Sequence, residues 1–412
     1  MNRKTVNAWC LYDFGNSAFA VIFVTVFGAY YADAVVGEAR GDRLWGYIGS
    51  ISMGLVALSA PLMGGIADHA GVRKRMLAIY TTIAIITTLC FSFIHEGSVW
   101  LGFALGILAN FAFEGGTVFY NSYLPVIAPP SHQGRVSARG FAVGYAGSLL
   151  TLGVGAWLAL QGNFTGVWLT VGIVWVIGAT PAFLFLPRDE PTGMSVPAAA
   201  ARGVKQTLDT WKDVLGMRNM RRFLLAYFFY MDGVNTIIFF AAVYATKEIG
   251  MEIGESTALF AMVQLTALVG SILMAGPCDR NGPRWAVLRT LIWWIFVVAL
   301  AMITGTPTLS WSREAFWLVA GLAGLGLGSI QASSRALMSH LVPSGREAEF
   351  FGFYALCGKT GAVIGPALLV WVSDWIGSLR LALITVVISC LIGLFFLMRV
   401  RDPQSDSSST FQ

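Results

Sequence analysis

Along this chain, long apolar runs alternate with short polar breaks. A helix needs roughly 20 apolar residues to cross a bilayer, and about twelve such stretches follow one another. They are Asn7–Ala32, Leu44–Ile66, Met76–Ile94, Trp100–Ile127, Ala138–Leu160 and Val167–Leu186, then Phe223–Thr246, Ser256–Pro277, Trp285–Gly305, Ala315–Leu341, Phe350–Val372 and Leu379–Met398. The pattern predicts an all-α integral membrane protein with two six-helix bundles, 1–186 and 223–400, a linker 187–222 and a polar, disordered tail 401–412. The linker opens PRDEPTGMSVPAAAA, which reads as a flexible polar segment. Beyond it, Val204, Leu208, Trp211 and Leu215 share one helical face near Lys205, Lys212 and Arg218. That suits an amphipathic helix lying on a membrane, and an ordinary solvated linker equally well.

Polar residues inside the apolar runs are few, so each carries information. Asp13, Asn16 and Ser17 fall at i, i+3 and i+4, on one face of the first span. YFFYMDGVNTIIFF in the seventh span repeats the pairing with Asp232 and Asn235, just after Tyr230. A charged side chain in hydrocarbon costs at least about 2.5–3.5 kcal/mol, so these faces should turn into a bundle or an aqueous hollow. One such span in each half predicts a two-fold-repeated transporter with its pathway between the halves.

Composition agrees. Of 412 residues 56% are hydrophobic and 12% charged, against about 25% charged in soluble domains, and mean hydropathy is +0.68. The net charge of +5 is a topology signal and points to no nucleic-acid partner. Basic residues collect in alternate loops, at Arg73, Lys74, Arg75, Arg135, Arg139, Arg280, Arg284, Arg289, Arg399 and Arg401, which predicts both termini and the linker on the cytoplasmic side. The first span is too long, and too interrupted by Asp13, for a cleaved signal peptide. The five cysteines read as packing residues without a disulfide framework. Neither they nor the four scattered histidines show metal-ligand spacing, and no catalytic dyad or HExxH appears. No enzyme activity, metal or cofactor is expected.

Two loops share a motif. Asp68-x-x-Gly71-x-Arg73 follows the second span and Asp279-x-x-Gly282-x-Arg284 the eighth. Glycine permits a tight turn, the carboxylate can cap a neighbouring helix, and the arginine can clamp it; a generic basic loop is the plainer alternative. Together with Gly64 the first copy resembles the signature loop Gly-x-Leu-Ala-Asp-Arg-x-Gly-Arg-Lys of the major facilitator superfamily. Val72 stands where a basic residue is common, and Ala275 replaces the first glycine of the second copy, so that copy should clamp more weakly. YDFGNSAF at Tyr12, VFYNSYLPVIAP at Val118 with GYAG at Gly144, and QASSRALMSHLVPSGREAEFFGFYALCGKTGAVIGP at Gln331 are similar to the family related to fungal autophagy-linked vacuolar effluxers. The resemblance spans all twelve helices. It implies a major facilitator fold of 3+3 repeats and a secondary transporter; for the fungal branch it implies amino acids leaving the vacuole.

Further candidates lie deep in the spans. Glu114 reads as a proton carrier or substrate contact, or as half of a static ion pair. Tyr120 and Asn121 could bond a polar ligand or helix backbone. Arg335 and Lys359 sit too far from helix ends to snorkel with ease, and bind a substrate carboxylate or pair with Asp13, Glu114 or Asp232 as a gate. Gly-xxx-Gly pairs at 102/106, 140/144, 324/328 and 361/365 read as close helix packing. Acid in the first half and both signs in the second would suit a zwitterion. The expectation is a monomeric, bilayer-embedded secondary transporter, in a bacterial inner membrane, moving a small polar or zwitterionic solute, amino acids among the candidates, by proton-coupled alternating access. Export of another small organic anion or drug-like solute, or a non-transporting sensor, is the alternative.

Overall fold

The computed structural model describes residues 1–190, 192–194, 196–247, 253–304 and 312–401. The expected tail past Arg401, and Gly305 at the end of the ninth span, lie outside the described residues. The long apolar runs are helices. α1 (Arg3–Ile22) continues as two π-helical stretches, Phe23–Phe27 and Tyr30–Val36. There follow α2 (Glu38–Ala70), α3 (Arg73–Cys90), α4 (Val99–Asn121), α5 (Gln133–Leu160) and α6 (Phe164–Phe185). The linker carries α7 (Val196–Gly216). After it come α8 (Arg218–Lys247), α9 (Ile253–Asn281), α10 (Pro283–Thr304), α11 (Ser312–Leu341), α12 (Glu347–Ile376) and α13 (Ile384–Met398). Among the described residues, eleven helices are long and apolar enough to cross a membrane. α8 is a further long helix, at the place expected for the seventh span.

Local chemistry explains several boundaries. α2 ends at Gly71, whose φ of 62° gives the left-handed cap that a glycine adopts without strain. α4 stops at Asn121, and a short helical turn, Leu124–Ile127, restarts with Pro125 in its first positions.

The described chain falls into two compact units. The first comprises Met1–Pro129, Val143–Thr207 and Ser344–Ala355; the second comprises Pro130–Ala142, Leu208–Pro343 and Leu356–Gln412. The start of α5 thus groups with the second unit, and the start of α12 with the first. Buried aromatic rings fill the first unit, where Phe27 stacks on Phe91 at 4.1 Å between centroids and Trp168 meets both edge-on.

Candidate transport site

In the first unit, α1 presents its polar face to α5. A Cβ on Gly144 would fall 2.7 Å from Ser17 Oγ and 3.5 Å from the Asp13 carboxyl carbon. The glycine thus lets α5 approach the acid closely. Ser17 donates to Asn16 Oδ1 at 3.3 Å, and Ser148 on α5 donates to the Ser17 carbonyl at 3.0 Å. Asp13 is 6% exposed and Glu114, on α4, 8%; neither is turned out to lipid. Tyr120 is sandwiched in an aromatic stack, 4.6 Å from Trp9 and 4.9 Å from Tyr12, while Trp9 donates its indole N–H to the Tyr120 carbonyl at 2.9 Å. Tyr12 closes the stack with a 2.7 Å hydrogen bond to Thr81. Asn121 is the last residue of α4.

The second unit repeats this arrangement. Asp232 on α8 faces Gly361 and Gly365 of α12, so that a Cβ on Gly365 would lie 2.5 Å from Asp232 Oδ1. Ser389 of α13 donates to Asp232 Oδ2 at 3.1 Å, and Asp232 is 5% exposed. Asn235 donates to the Gly358 carbonyl at 3.4 Å. Tyr230, fully buried, shares a 2.7 Å hydrogen bond with Ser334. An acid on the first helix of each unit therefore packs against a glycine-bearing face, Gly144 in one and Gly361/Gly365 in the other.

Arg335 is 2% exposed. Its Nη2 donates to the Ser137 carbonyl at 2.8 Å, its Nε to Ser137 Oγ at 3.0 Å, and its guanidinium carbon stands 4.0 Å from the centre of the Phe141 ring. All of these belong to the second unit, through the start of α5. Lys359 is half-buried on α12, and Gln331 half-buried on α11. A cavity of about 140 Å³ inside the second unit is lined by Phe260, Trp294, Phe316 and other apolar side chains with Gln264. None of the predicted polar residues lines it.

The repeated loop motif has a clear geometry. Asp68 accepts the backbone N–H of Ala348 at 3.2 Å and of Glu349 at 2.8 Å, capping the start of α12. Arg73 bridges Asp68 at 3.0 Å and Glu347 at 2.7 Å, and also donates to the Ser122 carbonyl. Gly64 is forced by contact: a Cβ there would overlap the Ala348 carbonyl. In the second copy Asp279 accepts the Arg135 N–H at the start of α5, and the Arg135 side chain pairs with it at 3.2 Å. Gly282 has a φ of 87°. Arg284 does not clamp this acid; it donates to the Leu397 and Met398 carbonyls at the end of α13, where a cation is favoured. Sequence reasoning missed Ser389, Ser137, Phe141, Glu347 and Glu349. Glu347 and Glu349 lay within view in PSGREAEFF, since acids in a first helical turn are a cap signal.

A membrane bundle of this length, with buried acids on its first and eighth helices and paired loop motifs, is that of a major facilitator secondary transporter, not an enzyme. The fold agrees with a solved structure, that of the human organic anion transporter MFSD10 (TETRAN), at a TM-score of 0.75 and 16% identity over 96% of this chain and 100% of that one. Residues 44–408 match the family model described as vacuole effluxer Atg22 like, and the chain belongs to that family. It is 29% identical to the uncharacterized MFS-type transporter YxiO of Bacillus subtilis (strain 168), over 99% of this chain and 97% of that protein. It is 24% identical to autophagy-related protein 22 of Yarrowia lipolytica, over 85% and 74%.

Proposed function

We propose that this transporter moves a small polar or zwitterionic solute, amino acids among the candidates, by proton-coupled alternating access. The observation that carries the reading is the burial of Asp13, Asp232, Glu114 and Arg335 inside the units, each under a tenth exposed, at positions where hydrocarbon would penalise them. The family description, vacuole effluxer, supports a solute leaving a compartment, and buried groups of both charge signs, which suit a zwitterion, make amino acids the first solutes to test. Asp13 with Asn16 and Ser17, Asp232 with Asn235, and Glu114 are the groups for solute or proton. Tyr120, held in its ring stack, and Tyr230, hydrogen-bonded to Ser334, serve to shape the helices around them, and Asn121, Gln331 and Lys359 remain solute-contact candidates.

Gate use is favoured over substrate binding for Arg335, because its described bonds go to Ser137 and Phe141. Asp68, Gly71 and Arg73, with Gly64, and Asp279, Gly282 and Arg284 form the gate motifs in this reading. The alternating basic loops support an inner membrane with both termini inside.

Uptake into proteoliposomes under an imposed pH gradient, screened over amino acids and small carboxylates, tests the proposal. Saturable uptake that follows the gradient, and collapses in a folded Glu114→Gln, Asp13→Asn or Asp232→Asn variant, is expected. Gradient dependence unchanged in all three would end the proton-coupled reading.

A further inference from the structure

α3 begins without a cap of its own. Val72, which precedes it, offers no side-chain acceptor to the first-turn amides, which a helix cannot satisfy internally. The Lys74 amide is met instead by Asp189 Oδ2 at 2.8 Å, from the segment just past α6. Lys74 returns the contact, its Nζ donating to the Leu186 carbonyl at 2.6 Å, at the end of α6 where a cation is favoured. Each helix end thus satisfies the other.

Three more contacts fasten the same segment. The Thr192 hydroxyl donates to the His69 carbonyl, and Tyr123 donates to the Pro187 carbonyl at 3.5 Å. The Glu190 carbonyl lies against Gly71, where a Cβ would overlap it. Gly71 is therefore required twice, by its backbone angle and by this neighbour. All of these residues belong to the first unit, and they surround the turn that carries Asp68 and Arg73.

We propose that residues 186–190 and Thr192 strap the α2–α3 turn in place, with Asp189 the positioning residue that keeps Arg73 on Asp68 and Glu347. Arg73 stands in the first turn of α3, beside the amide that Asp189 caps. Fraying that turn withdraws the guanidinium from both acids and loosens the start of α12. The inference rests on reading the Asp68 loop as a gate.

The test uses the full chain with its five cysteines replaced by alanine, and N-ethylmaleimide as probe. Ala348→Cys, at a fully buried position, reports release of the α12 start; Thr88→Cys, buried farther along α3, reports general loosening. Asp189→Ala should speed alkylation at position 348 by about 2- to 30-fold, the factor that loss of one N-cap represents, with position 88 unchanged. Asp189→Asn keeps the acceptor without the charge and should restore the slow rate. Equal acceleration at both cysteines, or no rescue by asparagine, overturns the strap. If Arg73→Ala accelerates position 348 and Asp189→Ala does not, the strap fails while the gate stands. If neither does, the gate reading fails with it; where Arg73→Ala does not fold, Asp68→Asn takes its place.

Discussion

Replacing Arg335 by lysine keeps the charge and removes the fork, which separates a latch from a substrate clamp. The guanidinium makes two hydrogen bonds to Ser137, at 2.8 and 3.0 Å, and lies 4.0 Å from the Phe141 ring centre. Ser137 Oγ is itself held, donating to the Ala332 carbonyl at 2.7 Å. An ammonium can keep one of the two bonds, so the variant loses one bond to a charged donor, about 1.5–3 kcal/mol. It also loses part of a desolvated cation–π contact of about 2 kcal/mol. The combined loss is about 2–4 kcal/mol, or about 30- to 900-fold in the equilibrium that holds the α5 start. Equilibrium unfolding in mixed micelles reads the stability, and a cycle with Phe141→Leu isolates the ring contact. Coupling of about 0.5–2 kcal/mol is expected. Additivity within about 0.3–0.5 kcal/mol would refute the stacked latch. In proteoliposomes Arg335→Lys should lower the maximal rate at unchanged KM; a raised KM would instead make Arg335 a substrate contact.

Two further perturbations follow from the packing and the loops. Gly365→Ala places a methyl 2.5 Å from Asp232 Oδ1, and overpacking of this kind costs about 1–3 kcal/mol. Gly49→Ala, with open space at its Cβ, should leave the melting temperature unchanged or raise it; equal effects in the two would show that α8 and α12 are not in close contact at the acid. Arg73→Ala leaves Asp68 and Glu347 buried without their shared cation, a loss of about 3–5 kcal/mol, whereas Arg284→Ala frees only helix-end carbonyls, about 0.3–1 kcal/mol. Matching thermal shifts in these two arginine variants would contradict the asymmetry between the motif copies.

What could be read from the sequence is what local pattern encodes. Apolar runs mark spanning helices, and Asp68-x-x-Gly71-x-Arg73 encodes a turn, because both depend on neighbours along the chain. The partners of the acids do not. Ser389 is 157 positions from Asp232, Glu347 is 274 from Arg73, and Asp189 is 115 from Lys74. Nothing in the spacing of either member predicts such a pairing, which is set only when helices pack. The linker shows the same limit. Its opening residues have the polar, proline-bearing composition of a flexible segment, yet Asp189 and Thr192 are bound to the α2–α3 turn, because unpaired amides and carbonyls at helix ends recruit whatever polar side chain lies within reach. Arg284 shows it from the other side: the motif supplies the arginine, but the exposed carbonyls ending α13 decide where it goes.

The duplicated motif therefore preserves one interaction and varies another. In both copies the aspartate sits at the start of a helix from the other half of the chain, Asp68 on α12 and Asp279 on α5, where its charge meets unsatisfied amides and the positive end of the helix dipole. The cation beside it differs. Arg73 is enclosed, its side chain 10% exposed between two acids, whereas Arg135 beside Asp279 is 52% exposed. An exposed pair contributes about 0–1 kcal/mol and is screened by salt; an enclosed one is not, and its removal strands charge. Beside the second copy, the buried Arg335 holds the same opening turns of α5 through Ser137 and Phe141. The first motif thus pairs charge within itself, while the α5 start beside the second is also held by an arginine from α11, so Arg335→Lys should loosen the α5 start more than Arg135→Ala does.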